Sequence, residues 1–593
     1  MNLFSFFLFL FLFNQFKVFT LNSLERFTNE KQIERLNIIP IELYFLRNEY
    51  ESFQIGIKND EDCEIEFFFT KNLFPYLKVY YEYFIPILTS SHSLGKSKPE
   101  IAEKVPDPLI PIERRINIKK GINIFWFDVY IPEDEEKEMI EGEIKIKILP
   151  QNLNFTIPIK LNILKENIKK IPSFKTLFVF WLNPIIEKHR SCDKYLITRL
   201  YYEEALSHKI TPSAIPLDIR PKRIEINNIL DNNTNYSPLP IYSADFNVTY
   251  STGFLDNNLE YYQNRNLNLI EVPLFAQQGL LFFQWQKYLE VFSNYFENKG
   301  FEDIIDYSFD EPKPSDYDLI REWAYNLHKF TKIKNLILFN NFYSEKVDER
   351  LLDDGTGWPS IDIWVPKFSL HYYFKDFFKE RENKGEEIWA YQAGVTDSFT
   401  PKWLLDYPLI EKRVSFWLFS LFDIKGMVYW GIDKWQRDVY EDPIVIIDDK
   451  IYNGDGYLIY YGSKFGMNKP ISSIRLKTIR DGIEDYEYLK ILKELDYSSY
   501  LSLINKIATD WDNWSNNPDS LILVKKEIWE RIRDLIKERK SGSQEKFLFV
   551  FNNKKIGIKQ VFDITGKKID GKKINRGIYF IKNKNIYKLI KIY

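Results

Sequence analysis

The feature that most constrains this chain is a change of grammar near residue 170. Before it, from Leu21 to Ile163, the text is strand-like. Segments 51–57 (ESFQIGI), 122–131 (INIFWFDVYI) and 142–148 (GEIKIKI) alternate apolar and polar residues or are rich in β-branched and aromatic ones. Turn clusters at 58–62 and 132–136 separate them, and the pattern predicts a β-sandwich over 21–164. Lys165–Pro172 (KENIKKIP) reads as a linker. Beyond it, strand-length apolar runs at 176–181, 267–274, 303–309, 336–339, 361–365, 387–391 and 426–430 alternate with amphipathic runs at 192–207, 284–299, 315–330, 373–384 and 406–422. This βα repeat predicts a (β/α)8 TIM-type barrel across 173–470. A doubly wound sheet would open on a Gly-rich βα turn, and none is found. A helical extension is expected over 471–540. A flexible joint, Ser541-Gly542-Ser543-Gln544, then leads to a small β-module at 546–593.

The bulk properties narrow the functions. A chain of 593 residues is too long for one core and predicts a multidomain protein. A net charge of -3 with no basic stripe gives no reason to expect a nucleic-acid partner. Cys63 and Cys192 lie far apart and offer neither a disulfide framework nor a CxxC site. The five histidines (His92, His189, His208, His328, His371) lack HxxxH spacing, so no metal and no cofactor are expected. Aromatic residues make up 17%, but Ile, Lys and Asn are abundant too; AT-rich codons account for that more readily than sugar stacking does. Single aromatics therefore need positional support. Leu3–Phe13 has the length of a signal-peptide h-region and is short for a bilayer span. Its n-region lacks a Lys or Arg, and no clean A-x-A site follows. Residues 1–20 are read as a signal peptide, with an uncleaved anchor as the alternative, so the protein is expected to be secreted or at the cell surface.

The sharpest local motif is Asp306–Pro312, DYSFDEP, where a strand meets a βα loop. Barrel enzymes place catalytic groups on that rim. Side chains of consecutive strand residues point to opposite faces, so Asp310 and Glu311 share a pocket only if the strand has ended. Pro312 favours that ending. The pair would supply a proton donor and an orienting carboxylate; the alternative is a solvated loop before a helix cap at Ser315.

DYSFDEP, the run 426–435 (GMVYWGIDKW), the run 453–460 (NGDGYLIY) and the run 473–489 (SIRLKTIRDGIEDYEYL) occur in that order. Together they resemble glycoside hydrolase family 123 and its broader catalytic-domain relatives. Residues 47–54 (RNEYESFQ) resemble the opening of the β-sandwich those proteins carry. The resemblance covers roughly 41–495. It implies a β-N-acetylgalactosaminidase or hexosaminidase that works by substrate-assisted retention, an exception to the two-carboxylate scheme. By the same resemblance Glu311 is the general acid/base and Asp310 orients and polarises the acetamido N–H. A non-catalytic glycan-binding protein, or a glycosidase for a sugar lacking a 2-acetamido group, stays open. A carbohydrate is the expected partner.

Other rim candidates follow from strand ends: Asn340, Trp364, Tyr391, Gln392, Trp430, Asp433 and Trp435. Aromatic planes there would stack on sugar rings and polar groups would bind hydroxyls. For each aromatic the alternative is core packing, and for Asn340 a turn. Trp430 and Trp435 are the strongest of these, and Trp358 in DDGTGWP would cap the pocket or sit on a surface loop. Asp481, Glu484, Asp485 and Glu487 are read as a structural buttress acting with Arg475 and Arg480. The NGDG run lacks full calcium-loop spacing. The C-terminal module, with its GIYFI strand and basic last strand, resembles the sorting domain of the type IX secretion system. That implies secretion machinery as a partner; a plain carbohydrate-proximal module is the alternative.

Overall fold

The computed structural model describes residues 16–213 except 29, 94–97 and 101; residue 216; residues 258–272; residues 282–540 except 395–396; and the strands at 560–563, 568–569, 577–583 and 586–592. The chain divides into two compact units, Met1–Trp529 and Glu530–Tyr593.

The first unit opens with ten strands. They are β1 (Phe16–Asn22), β2 (Ile41–Arg47), β3 (Glu49–Asn59), β4 (Cys63–Phe69), β5 (Leu77–Pro86), β6 (Lys104–Ile112), β7 (Arg115–Ile118), β8 (Gly121–Ile131), β9 (Met139–Leu149) and β10 (Leu153–Asn167). They form two five-stranded sheets, ordered β1-β3-β8-β5-β6 and β2-β10-β9-β4-β7. Alternation places Phe53, Ile55, Phe125 and Phe127 of one sheet against Ile144, Ile146, Ile157 and Ile159 of the other in one core. Two boundaries differ from the expectation. Residues 16–20, expected at the end of the leader, are strand: β1 pairs with β3 from Phe16↔Asn59 onward, and Phe16 and Phe19 are buried. Leu3–Phe13 lies outside the described residues. The linker is also shorter. Lys165–Asn167 continue β10, and Ile168 is buried with its N–H donated to the Arg47 carbonyl at 2.9 Å. Backbone pairing carries the strand past the point where its apolar alternation stops.

The second layer is a parallel sheet built from β11 (Lys175–Phe178), β12 (Leu269–Glu271), β13 (Asp303–Asp310), β14 (Lys334–Phe339), β15 (Ile363–Pro366), β16 (Glu387–Gln392) and β17 (Gly426–Tyr429). Its order is β11-β17-β16-β15-β14-β13-β12. The connecting helices include α1 (Lys194–Ser207), α2 (Phe282–Asn298), α3 (Tyr317–Phe330), α4 (Lys375–Asn383) and α5 (Ile410–Leu421). Leu177 of one edge strand and Leu269 of the other belong to the same apolar cluster as Ile305, Leu338, Val365, Trp389 and Val428, so the sheet curls around its own interior. Among the described residues the pairing is seven strands plus one bridge, Phe178↔Pro212, on the free side of β11. The N-terminal end is sealed by charge. Lys175 lies 2.8 Å from Asp303 and 3.1 Å from Glu387, and Lys334 lies 2.6 and 2.7 Å from the same two carboxylates. The open end is therefore the C-terminal rim.

The region expected to be an appended helical extension is instead a wedge. Helix α6 (Ile474–Leu495) is buried all round from Ile474 to Leu489. A helix buried on every face is normally apolar; this one buries charges that are each paired. Arg475 meets Asp107 at 3.0 Å, while Lys477 and Arg480 meet Asp128 at 2.7 and 2.9 Å, both aspartates lying on the sandwich. Asp485 accepts from Arg413 of α5 at 2.7 Å, and Glu487 from the Ser173 N–H at 2.5 Å. The polar outer face of β3 and β8 is thus covered by α6 at Ser52 and Asp128, which are buried there. Helix α7 (Pro518–Lys540) adds Lys525, which pairs with Glu49 at 2.7 Å and with Glu51. In the second unit, strands Gln560–Asp563, Lys568–Ile569, Gly577–Asn583 and Ile586–Ile592 form an antiparallel sheet.

Candidate active site

Strand β13 is irregular. Asp306 pairs with Asn335 but Phe309 pairs with Ile337, so one extra residue is inserted. Such a bulge re-aims the side chains beyond it. In a regular strand, residues three apart point to opposite faces. Here the Tyr307 hydroxyl, against the sheet interior, donates to Asp310 Oδ1 at 3.1 Å. Asp306 points the other way, into α3, where it accepts from the Trp323 indole at 2.6 Å; burial pushes its carboxyl up to about 6. Burial also raises the Asp310 pKa, the Tyr307 hydrogen bond opposes that, and the charge of Glu311 adds to it.

Glu311 takes the left-handed backbone conformation, with φ +48°. Its N–H still donates to the Leu338 carbonyl at 3.1 Å, so the chain turns while attached to the sheet. That conformation costs a non-glycine residue about 1–2 kcal/mol. The turn leaves the carboxylate where Tyr391 Oη donates to Oε1 at 2.5 Å and Asn340 Nδ2 to Oε2 at 2.6 Å. Tyr391 is the fifth residue of β16, and Asn340 is the first after β14. One carboxylate is therefore fixed by donors from two other strands, and its neighbour by a donor from its own. Lys367, just past β15, donates to the Gly394 carbonyl at 2.9 Å. Burial holds its pKa below the usual lysine value, with the negative charges of Glu311, Asp397 and Asp455 opposing.

Of the residues expected on the rim, Asp310, Glu311, Asn340 and Tyr391 come together here. Trp430 is partly exposed on the same rim, its indole donating to Asp455 Oδ1 at 2.9 Å. The other four are structural. Trp364 is fully buried, bonded to Glu386 at 2.6 Å and stacked on Phe339, because its register turns it outward to the helices. Gln392 accepts from the Trp403 N–H at 2.9 Å and donates to the Pro401 carbonyl, holding a loop. Asp433 is buried and accepts from the N–H groups of Trp181 and Leu182, both at 2.9 Å; burial raises its pKa to about 6. Trp435 packs among Tyr201 and Tyr461 and donates to the Ile459 carbonyl at 2.9 Å. Trp358 is exposed beside His328, on the loop leading into the N-terminal end of β15, and does not cap the rim.

Three residues escaped the sequence reading: Tyr307, Lys367 and Asp455. Asp455 accepts from Tyr429, Trp430 and the Gly394 N–H at 3.1, 2.9 and 3.0 Å. Its place in the NGDG run was the available signal, and Tyr307 stands inside DYSFDEP itself. Lys367 carried none.

A β-sandwich is thus joined to a curled parallel sheet that carries paired carboxylates, Asp310 and Glu311, on its C-terminal rim. Residues 258–492 match the family model described as Glycoside hydrolase 123, catalytic domain. A family 123 glycoside hydrolase from Clostridium perfringens, described for glycolipid glycan hydrolysis, superposes with a TM-score of 0.63 at 15% identity, covering 89% of this chain and 100% of that one. Over 258–492 the chain is thus similar to the catalytic domain of glycoside hydrolase family 123. A β-glucuronidase from Parabacteroides merdae has a TM-score of 0.20 at 11% identity, covering 70% of this chain and 47% of that one; likeness that low carries no argument. No curated protein matches the chain.

Proposed function

We propose that this chain is an exported, retaining β-N-acetylgalactosaminidase or hexosaminidase that uses the substrate's own acetamido group as nucleophile. The observation that carries the reading is Glu311, pinned at φ +48° by Tyr391 and Asn340 beside an Asp310 that Tyr307 orients. Glu311 gives its proton to the leaving glycosidic oxygen as the acetamido oxygen attacks the anomeric carbon. Asp310 accepts the acetamido N–H and stabilises the positive charge that develops on that group. The resulting oxazoline opens to water, with Glu311 taking the water's proton, and configuration is retained. Trp430 offers an aromatic face to the sugar ring.

Glycans of the kind named for the Clostridium perfringens relative are the substrate class we favour. The barrel reading goes with this proposal: the segment bridging at Pro212 would supply the eighth strand beside β11. So does export. With β1 starting at Phe16, a leader would end by Gln15 rather than at residue 20, and the C-terminal module would act as a sorting signal for secretion machinery.

The test is a panel of aryl glycosides with and without the 2-acetamido group. Turnover confined to 2-acetamido-galactosides or -glucosides, with initial release of the β-anomer, is expected. Equal cleavage of glycosides lacking the group removes substrate assistance, and cleavage of none leaves a glycan-binding role.

A further inference from the structure

Trp181 is a large apolar side chain left 43% exposed, yet it is held rigidly. It follows β11 on the C-terminal rim. Its N–H is fixed by the buried Asp433 at 2.9 Å, and its indole donates to the Trp430 carbonyl at 3.3 Å. Gly431 lets this approach happen, since a Cβ there would fall 2.7 Å from the Gly456 carbonyl and 3.2 Å from the Trp181 indole nitrogen. The Lys434 ammonium lies 3.3 Å from the centre of the Trp181 ring. Among the described residues no carboxylate pairs with that ammonium. The charge of Lys434 is felt by its neighbour Asp433, whose oxygens accept from the N–H groups of Trp181 and Leu182, but the two make no ion pair.

This platform adjoins the site already described. Strand β11 pairs with β17, so Trp181 and Trp430 stand on neighbouring strand ends. From Trp430 a hydrogen-bonded path runs through Asp455 and Gly394 to Lys367.

We propose that Trp181 and Lys434 form a second saccharide subsite on the rim, selective for an acidic sugar unit of the glycan. The face of the indole away from Lys434 supplies apolar surface for the C–H face of a pyranose ring, and the ammonium at its edge supplies donors for a carboxylate or sulfate ester on the adjoining sugar unit. The assignment rests on the glycosidase reading above, and the experiment separates the two.

The probes are an unsulfated chondroitin tetrasaccharide, its carboxyl-reduced form, and a carboxyl-reduced 6-sulfated form. Each is titrated calorimetrically into the full chain carrying Glu311→Gln, at low and high salt. The acidic form should bind about 10-fold tighter than the reduced form at low salt, and the gap should shrink with added salt. Lys434→Gln should bring the gap below about twofold while leaving the reduced form's affinity unchanged, and Lys434→Arg should restore it. Trp181→Ala should weaken every form. The sulfated arm tells carboxylate from sulfate ester recognition. Equal binding of acidic and reduced forms, an acid preference that survives Lys434→Gln, or no binding of any probe would each overturn the subsite. Turnover of a small aryl 2-acetamido-galactoside by the unmodified chain reports the catalytic reading separately, because that substrate carries no acidic unit.

Discussion

The backbone strain at Glu311 is compensated by two hydrogen bonds that a relaxed conformation would lose, so the residue's position and its chemistry cannot be separated. Glu311→Gln keeps the shape and removes the proton. It should slow turnover of natural glycans about 10²–10⁴-fold, since a sugar alcohol leaves poorly unprotonated. It should largely spare the first step on an activated aryl glycoside, a contrast that pre-steady-state release of the phenol reads directly. Asp310→Ala should slow both substrates alike. The pH profile tests Tyr307. In the proposed mechanism Asp310 has to be ionised to accept the acetamido N–H, and the Tyr307 hydroxyl is the contact that lowers its raised pKa. Tyr307→Phe should therefore move the acidic limb of kcat/KM to higher pH; an unmoved limb would detach Tyr307 from Asp310. At this scale the motif DYSFDEP was legible, as were Asn340 and Tyr391. Trp364, Gln392, Asp433 and Trp435 were not, because position at a strand end says nothing about which face a side chain takes. Neither did the sequence disclose the bulge that lets Tyr307 reach Asp310.

Among elements, α6 shows how far periodicity reads and where it stops. Its helical character was plain, and Arg475 and Arg480 signalled a buttress. Burial on every face was not visible, because a run so rich in charge reads as a solvated surface helix. Gly482 marks the tightest point: a Cβ there would fall 2.3 Å from the Phe416 ring of α5. Replacing glycine by alanine inside a helix ordinarily gains about 1 kcal/mol. Here Gly482→Ala should instead cost about 1–3 kcal/mol from overpacking, seen as a lower denaturation midpoint at unchanged slope. A stabilised variant would show that α5 can give way. The βα alternation was read nearly strand for strand because buried parallel strands and amphipathic helices differ in both length and period.

For the whole molecule, the sandwich and the curled sheet share one charged interior. Asp128 is held far below the usual carboxylate range by Arg480 and Lys477 despite its burial. Its stabilising contribution is present above the unfolded value of 3.8 and is lost as pH falls below it. Glu82 is the opposite case. Burial raises it to about 8 from 4.5, and neither carboxylate oxygen has a protein hydrogen-bond partner. Its contribution is present at low pH and is lost as pH climbs from 4.5 to about 8. Glu82→Gln should thus gain on the unmodified chain across that interval, as thermal unfolding at several pH values would reveal. A pH-independent difference would mean that Glu82 titrates normally. Deleting the sandwich strips Arg475, Lys477 and Arg480 of their partners; the expected product is insoluble or inactive.

The matched segment, 258–492, begins after β11 in the chain, although β11 pairs with β17 inside it. Cut at those limits, the piece would bare the flank of β17 and leave three cations of α6 facing water without Asp107 or Asp128. What is recognisable as a stretch of text is therefore not a transferable part. A lineage that moved this chemistry to a new protein would have to carry the sandwich along, so new specificities should arise by altering rim loops in place and not by grafting the catalytic stretch onto another scaffold.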